Sequence, residues 1–332
     1  MKTDLSPHLP APEVRNARGE WRPNHPASYA PVFVWPPQPL GILKWILGAP
    51  GYVWPTNLVL LAIAALSWLY TEPSLARCAH FHWGWIAQIW IRNLALIWLV
   101  YGGAYLLMYM LKVDGTKGKY SSQWPARNSA RFLFRNQVYD NVFYTAGVGG
   151  AIWTLYEVVT MWMYANHRLP YLDPHVHPFL FVLWILVIPV WREFHFYWTH
   201  RLIHWKPLYK HVHYLHHKNV DINPWSGMAM HPVETAIYLS VALIHWIIPS
   251  HPFHFIFNIQ HAGLGPVSGH LGFEGPVVKD KVPIGSYFHY LHHRYFECNY
   301  GESLIPLDRW FGTYRDGLPD GAGSKLKEEH KG

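Results

Sequence analysis

The 332-residue chain is 51% hydrophobic and only 14% charged, against about 25% charged residues in an ordinary soluble domain, which argues against a freely soluble protein. Its 24 histidines outnumber its 20 acidic residues and point to metal, whereas two cysteines, Cys78 and Cys298, exclude a disulfide scaffold and a cysteine-held zinc or iron–sulfur site. The net charge of +7 on so apolar a chain fits an anionic membrane face better than nucleic acid.

Residues 1–40 carry nine prolines among mixed charges and read as a disordered tail without a cleavable signal peptide. Four apolar blocks follow: Tyr52–Tyr70, Leu94–Leu111 with Trp83–Trp90 extending it, Val142–Tyr164, and Pro178–Trp191 resuming in Phe194–Trp198. A spanning helix needs about 20 mostly apolar residues; the fourth block reaches that length if its helix runs on through Arg192 and Glu193. Ala236–Ile248 and Phe253–Ile259 are too short to span alone, and Pro249 and Pro252 between them suit a re-entrant hairpin. Glu157, the one acid within the first three spans, is expected to pair with an arginine or a polar neighbour.

The loop 112–140 holds Lys112, Lys117, Lys119, Arg127, Arg131 and Arg135, while the loops 71–82 and 167–177 hold only Arg77 and Arg168. Positive charge stays inside, which places 112–140, the N-terminal tail and everything after Trp191 in the cytoplasm. The expected fold is an all-α integral membrane protein: about four transmembrane helices, a re-entrant or short helical hairpin, and a cytoplasmic histidine-rich cap. Its expected divisions are the tail 1–40, helices and basic loop over 41–140, a catalytic region over 141–315 and a C-terminal tail over 316–332.

The chemistry lies in the histidines. His200 and His204 form an HxxxH at the end of the fourth block, and positions four apart share a helix face. No glutamate follows His200, so the HExxH zinc-protease pattern is absent. His213, His216 and His217 form an HxxHH, and His289, His292 and His293 repeat it with the same Tyr-Leu spacer. Adjacent histidines diverge by roughly 100° around a helix, so one ion rarely takes both, whereas two ions side by side can. Eight histidines exceed the needs of one ion, and the reading is a dinuclear site with nitrogen ligands. Imidazole suits several transition metals, so ligand type alone does not name the metal.

These strings resemble the histidine boxes of the fatty acid hydroxylase / sterol desaturase superfamily of membrane-bound di-iron oxygenases. Phe196–His204 is similar to its first box, His213–His217 to its second and His289–His293 to its last; His231-Pro-Val-Glu234 and Asp308–Tyr314 are similar to other recurring family strings. The likeness covers about residues 140–315. It implies two iron ions, O2 as co-substrate, and hydroxylation or desaturation of a sterol, fatty acyl or sphingoid lipid. It also implies an external electron donor: a b-type cytochrome, a ferredoxin or a reductase. It adds His270 as a further ligand, with His231 and Glu274 as candidates to ligate or to support a ligand. No residue need act as nucleophile, because the metal centre carries the hard chemistry.

The chain has no haem-attachment motif, Rossmann fingerprint or cysteine cluster, so electrons must come from outside. The basic loop 112–140 and Lys325, Lys327 and Lys331 suit either an acidic redox partner or lipid headgroups. The expected location is the bacterial inner membrane or the endoplasmic reticulum, with the site facing the cytoplasm. The rival of a different class is a membrane metal transporter or metal-binding protein. Transporters place ligands near the bilayer midplane; here the boxes follow the apolar blocks and are flanked by Arg201, Lys210, Lys218 and Arg294.

Overall fold

The computed structural model describes residues 15–16, 19–23, 27, 29–282, 285 and 287–317. A first helix, α1 (Pro39–Leu47), buries none of its side chains. Among the described residues four helices are long and apolar enough to cross a membrane: α2 (Val53–Thr71), α3 (Trp83–Met110), α4 (Gln137–Ala165) and α5 (Pro178–Ile203). Each overlaps one apolar block of the sequence. The second block and its extension are one helix, because the polar step at Arg92 and Asn93 is neutralised from neighbouring helices. Arg92 pairs with Glu72 and Glu157, and Asn93 Nδ2 donates to Glu157 Oε2 at 3.0 Å. Glu157 therefore has the arginine partner expected of it.

Pro178 starts α5, a position where a missing N–H costs nothing, and the helix continues unbroken through Arg192 and Glu193 to the histidine cap. The cap begins with α6 (residues 206–217), which carries the second box. Helix α7 (Pro232–Leu239) and helix α8 (Pro252–Leu264) form the two arms of the expected hairpin. Every residue of α8 is buried, packed against α2, α4 and α5. Its tip reaches the far ends of the spans, where the Tyr164 hydroxyl meets Ser250 Oγ at 2.8 Å and the Leu172 N–H donates to the Ser250 carbonyl at 3.2 Å. Helix α9 (Tyr287–Tyr295) carries the last box.

The loop 112–140 packs on the cap. The Tyr120 N–H donates to the Gly272 carbonyl at 3.0 Å, Gln137 Nε2 donates to Asn219 Oδ1 at 3.0 Å, and Lys218 pairs with Asp140 at 2.8 Å. The N-terminal segment joins the same face: Trp21 stacks on Tyr120, and Glu20 pairs with Arg294 at 2.7 Å. Residues 1–40 read as a disordered tail by composition, yet Trp21, Ala27 and Ala30 are buried, because aromatic residues of the cap offer the proline-rich chain a surface to lie on. Positions 1–14 of that tail, and the C-terminal lysines 325, 327 and 331, lie outside the described residues.

Candidate metal centre

Four elements bring the histidines together. His200 lies in the last turn of helix α5, and His204 caps its C-terminus. Helix α6 supplies His213, His216 and His217. His270 follows the short turn Pro266–Gly269, and α9 supplies His289, His292 and His293. They sort into two groups able to hold a metal ion, the ligand atoms of each lying within 4.8 Å of one another. One is His200, His204, His213, His217 and His292; the other is His216, His270, His289 and His293. The adjacent pairs split, with His217 and His292 facing one centre and His216 and His293 the other, as divergence around a helix requires. All but His204 are buried.

The ring protons show what these groups are for. His200 Nδ1 lies 2.6 Å from the Tyr300 carbonyl, His292 Nδ1 2.6 Å from the Cys298 carbonyl and His270 Nδ1 3.0 Å from the Pro266 carbonyl. A carbonyl only accepts, so each of these nitrogens carries the proton and leaves Nε2 a bare lone pair. The Nε2 atoms converge. In the first group His213 Nε2 is 3.2 Å from His200 Nε2 and 3.0 Å from His204 Nε2, and His292 Nε2 is 3.0 Å from His217 Nε2. In the second, His270 Nε2 is 3.3, 3.0 and 3.2 Å from those of His216, His293 and His289. Lone pairs aimed at lone pairs repel, and a cation among them turns the repulsion into ligation. The donor set therefore fits metal.

Burial keeps the imidazoles neutral, the form that ligates. It pushes His216 down to about 4 and, aided by the neighbouring imidazoles, holds His213, His217, His292 and His293 well below the usual histidine range. His213 Nδ1 meets a carboxylate, Glu234 Oε1, at 2.7 Å. Burial raises the Glu234 carboxyl, and positive charge at His213 Nε2 favours its ionised form.

One cavity touches both groups. His200, His213, His216, His270 and His289 form its floor, Phe196, Ile203, Met230, Ile237 and Tyr238 its apolar walls, and Thr199, Ser268, Glu302 and Ser303 a polar side.

The remaining sequence candidates fall elsewhere. His231 caps α7, its Nδ1 accepting from the Val233 N–H at 3.2 Å, and stands outside both groups. Glu274 accepts from the Tyr120 hydroxyl and is likewise outside them. Of the other histidines near the boxes, His211 is exposed, His195 Nε2 meets Ser240 Oγ at 3.1 Å, and His261 Nε2 meets Asn57 Oδ1 at 2.8 Å. Within His231-Pro-Val-Glu234 the residue that reaches a box histidine is the glutamate. The carbonyls of Tyr300 and Cys298 carry no side-chain signal and were legible only in three dimensions.

Residues 185–313 match the family model for fatty acid hydroxylase. The chain is 34% identical over 150 residues to the Delta(7)-sterol-C5(6)-desaturase of Nicotiana tabacum, covering 43% of this chain and 53% of that protein. It is 32% identical over 144 residues to the Delta(7)-sterol 5(6)-desaturase ERG3A of Gibberella zeae, covering 41% of this chain and 38% of that one. The chain thus spans about half the length, or less, of these curated relatives. No solved structure matches it. Over the matched segment the chain is similar to the fatty acid hydroxylase family and to these sterol desaturases.

Proposed function

We propose that the protein is a membrane-bound di-iron oxygenase that hydroxylates or desaturates a lipid with O2 and electrons from an external donor. The observation that carries this reading is the convergence of nine Nε2-facing histidines in two groups, five of them lining one partly apolar cavity. In it, His200, His204, His213, His217 and His292 hold one iron, and His216, His270, His289 and His293 hold the other. Two irons so held supply O2 activation and the oxidising power to take hydrogen from an unactivated C–H bond.

The chain supplies the rest. Glu234 and the Tyr300, Cys298 and Pro266 carbonyls hold protons at Nδ1 and fix the ring planes. Phe196, Ile203, Met230 and Ile237 pack around the lipid and exclude water. The 26 residues of α5 exceed the roughly 20 a bilayer requires, which supports a position for His200 at the membrane edge with the lipid entering sideways. The positive-inside asymmetry puts this edge in the cytoplasm. Of the basic loop, Lys117 is engaged with Asp280 and Lys119 is buried. Arg127, Arg131 and Arg135 remain exposed for an acidic donor protein such as a b-type cytochrome, a ferredoxin or a reductase. The names of the relatives make a Delta(7)-sterol the first lipid to try.

The test is lipid conversion by the full chain in membranes with a reductase system, with and without O2, for wild type, His213→Ala and His211→Ala. A product that gains one oxygen or loses two hydrogens, needs O2, survives His211→Ala and disappears in His213→Ala is expected. Conversion without O2, or by His213→Ala at the wild-type rate, overturns the proposal; metal flux across liposomes points to a transporter instead.

A further inference from the structure

The cavity has a second chemical feature, away from the metals. Glu302 lines it beside Ser303, and both of its carboxylate oxygens lie 2.7 Å from Arg192 Nη2. Arg192 sits in α5 eight residues before His200, about 12 Å further into the bundle at 1.5 Å per residue. Its side chain is 7% exposed and that of Glu302 39% exposed. Arg192 Nη1 also reaches the Tyr238 hydroxyl at 3.3 Å, and that hydroxyl donates to the Ala262 carbonyl at 2.8 Å.

The mounting of Glu302 is rigid. Three successive N–H groups end on two buried carboxylates: Tyr300 and Gly301 donate to Asp308 at 2.8 Å each, and Glu302 donates to Glu193 Oε1 at 2.8 Å. The Tyr300 carbonyl in the same loop accepts from His200 Nδ1. One clamped loop thus orients a box histidine and, two residues later, a carboxylate in the cavity wall. A simple ion pair to neutralise Arg192 needs no such mounting and no exposure to the cavity.

We infer that Glu302 is a hydroxyl-reading anchor: the cavity takes an uncharged lipid bearing a free hydroxyl, which donates to Glu302 while the chain behind it lies across the histidine floor. This rests on the lipid-oxidising reading above and narrows its substrate class. Arg192 occupies one side of each carboxylate oxygen, and each keeps a further lone pair for a donor. An alcohol supplies that donor. An ether or ester of the same alcohol does not, and a free fatty acid presents a second anion to Glu302 beside the buried Glu193 and Asp308. Ser303 and Thr199 offer further hydroxyls on the same wall.

The experiment measures binding, so it does not depend on turnover. Full-length, metal-loaded protein in phosphatidylcholine nanodiscs is titrated with a Delta(7)-sterol and its 3-O-methyl ether, with 1-hexadecanol and its methyl ether, and with palmitate. Wild type is expected to hold at least one alcohol about tenfold tighter than its ether, the usual worth of a hydrogen bond to a charged group, and to hold palmitate weakest. The preference should collapse towards one in Glu302→Ala and return in part in Glu302→Asp, with metal content unchanged throughout. A wild-type alcohol-to-ether ratio near one overturns the anchor whether or not the variants fold, as does an unchanged ratio in metal-loaded Glu302→Ala. Wild type that binds none of the five probes, and converts no lipid, strikes the lipid-oxidising reading itself.

Discussion

Buried histidines occur at both ends of this bundle, and among the described residues only those of the cap gather into groups that could hold a metal ion. At the far end, His245 Nδ1 meets Ser250 Oγ at 3.0 Å and its Nε2 meets Asn258 Nδ2 at 3.1 Å. His254 Nδ1 accepts from the His251 N–H at 3.0 Å, and its Nε2 meets the Phe181 carbonyl at 3.0 Å. Both nitrogens of each ring are answered by protein groups of complementary character. In the cap, the Nδ1 atoms of His200, His270 and His292 meet carbonyls and that of His213 a carboxylate, while their Nε2 atoms face other Nε2 atoms. Burial and residue type are the same in the two places. The partner of the second nitrogen separates a structural histidine from a ligand.

That contrast breaks most sharply on metal content. His216→Ala removes one of four nitrogens from the smaller group, and elemental analysis should show loss of about one metal per chain together with near-complete loss of lipid conversion. His245→Ala should keep both metals and instead lower stability by about 1–3 kcal/mol, the cost of removing one hydrogen bond each from buried Ser250 and Asn258. Metal loss in His245→Ala, or none in His216→Ala, would erase the distinction.

A second test concerns charge rather than imidazole. The far half of the bundle also holds Arg92 between Glu72 and Glu157, all buried, a cluster whose charges attract without any ion. Arg92→Met leaves two buried carboxylates facing each other, and removal of one partner from a buried pair costs about 3–5 kcal/mol. Thermal unfolding in detergent should shift accordingly, while metal per folded chain stays at the wild-type value. Within the cap the counterpart is Glu234. Glu234→Gln keeps the shape beside His213 but loses the negative charge, and such a change typically weakens metal binding 10–100-fold. Competition with a chelator reads this directly; unchanged metal retention would make Glu234 a packing residue.

Much of this was legible in the sequence because it was periodic. The HxxxH and paired HxxHH spacings fix a helix face, so eight histidines could be read together as a dinuclear site before any coordinates, without saying which faces which centre. The four spans followed from runs of apolar residues, and the hairpin from Pro249 and Pro252. The rest depended on contacts between segments far apart in the chain. Nothing local to Glu302 announces that Arg192, 110 positions earlier, holds it, and backbone carbonyls such as that of Tyr300 leave no mark on composition. The placement of Trp21 escaped for a similar reason: the prolines around it describe what the segment cannot form alone, and the surface that receives Trp21 is made by Tyr120.

The smallest expected effect is a difference in acid sensitivity traceable to the far-end histidines. Burial pushes His254 down from its ordinary 6.5 to about 4, with the Phe181 carbonyl opposing, and pushes His251 down to about 4 against the pull of Asp173. The fold prefers these rings neutral, whereas the unfolded chain takes up protons near 6.5. Between those values the unfolded state binds more protons, so stability rises with pH there. The contribution is whole above 6.5 and is lost as pH falls through about 4. One fully buried group loses at most about 1.4 kcal/mol per pH unit within the window, and partial exposure of His251 makes its share smaller still. His254→Gln carries no titrating ring, so its unfolding midpoint should fall less between pH 6.5 and 4 than that of wild type, even if it starts lower. The comparison is best made on His216→Ala protein, whose metal content is already reduced, so that acid release of metal from the cap contributes less to both curves. Parallel curves for the variants with and without His254 would show that the far-end histidines are as indifferent to protons as they are to metal.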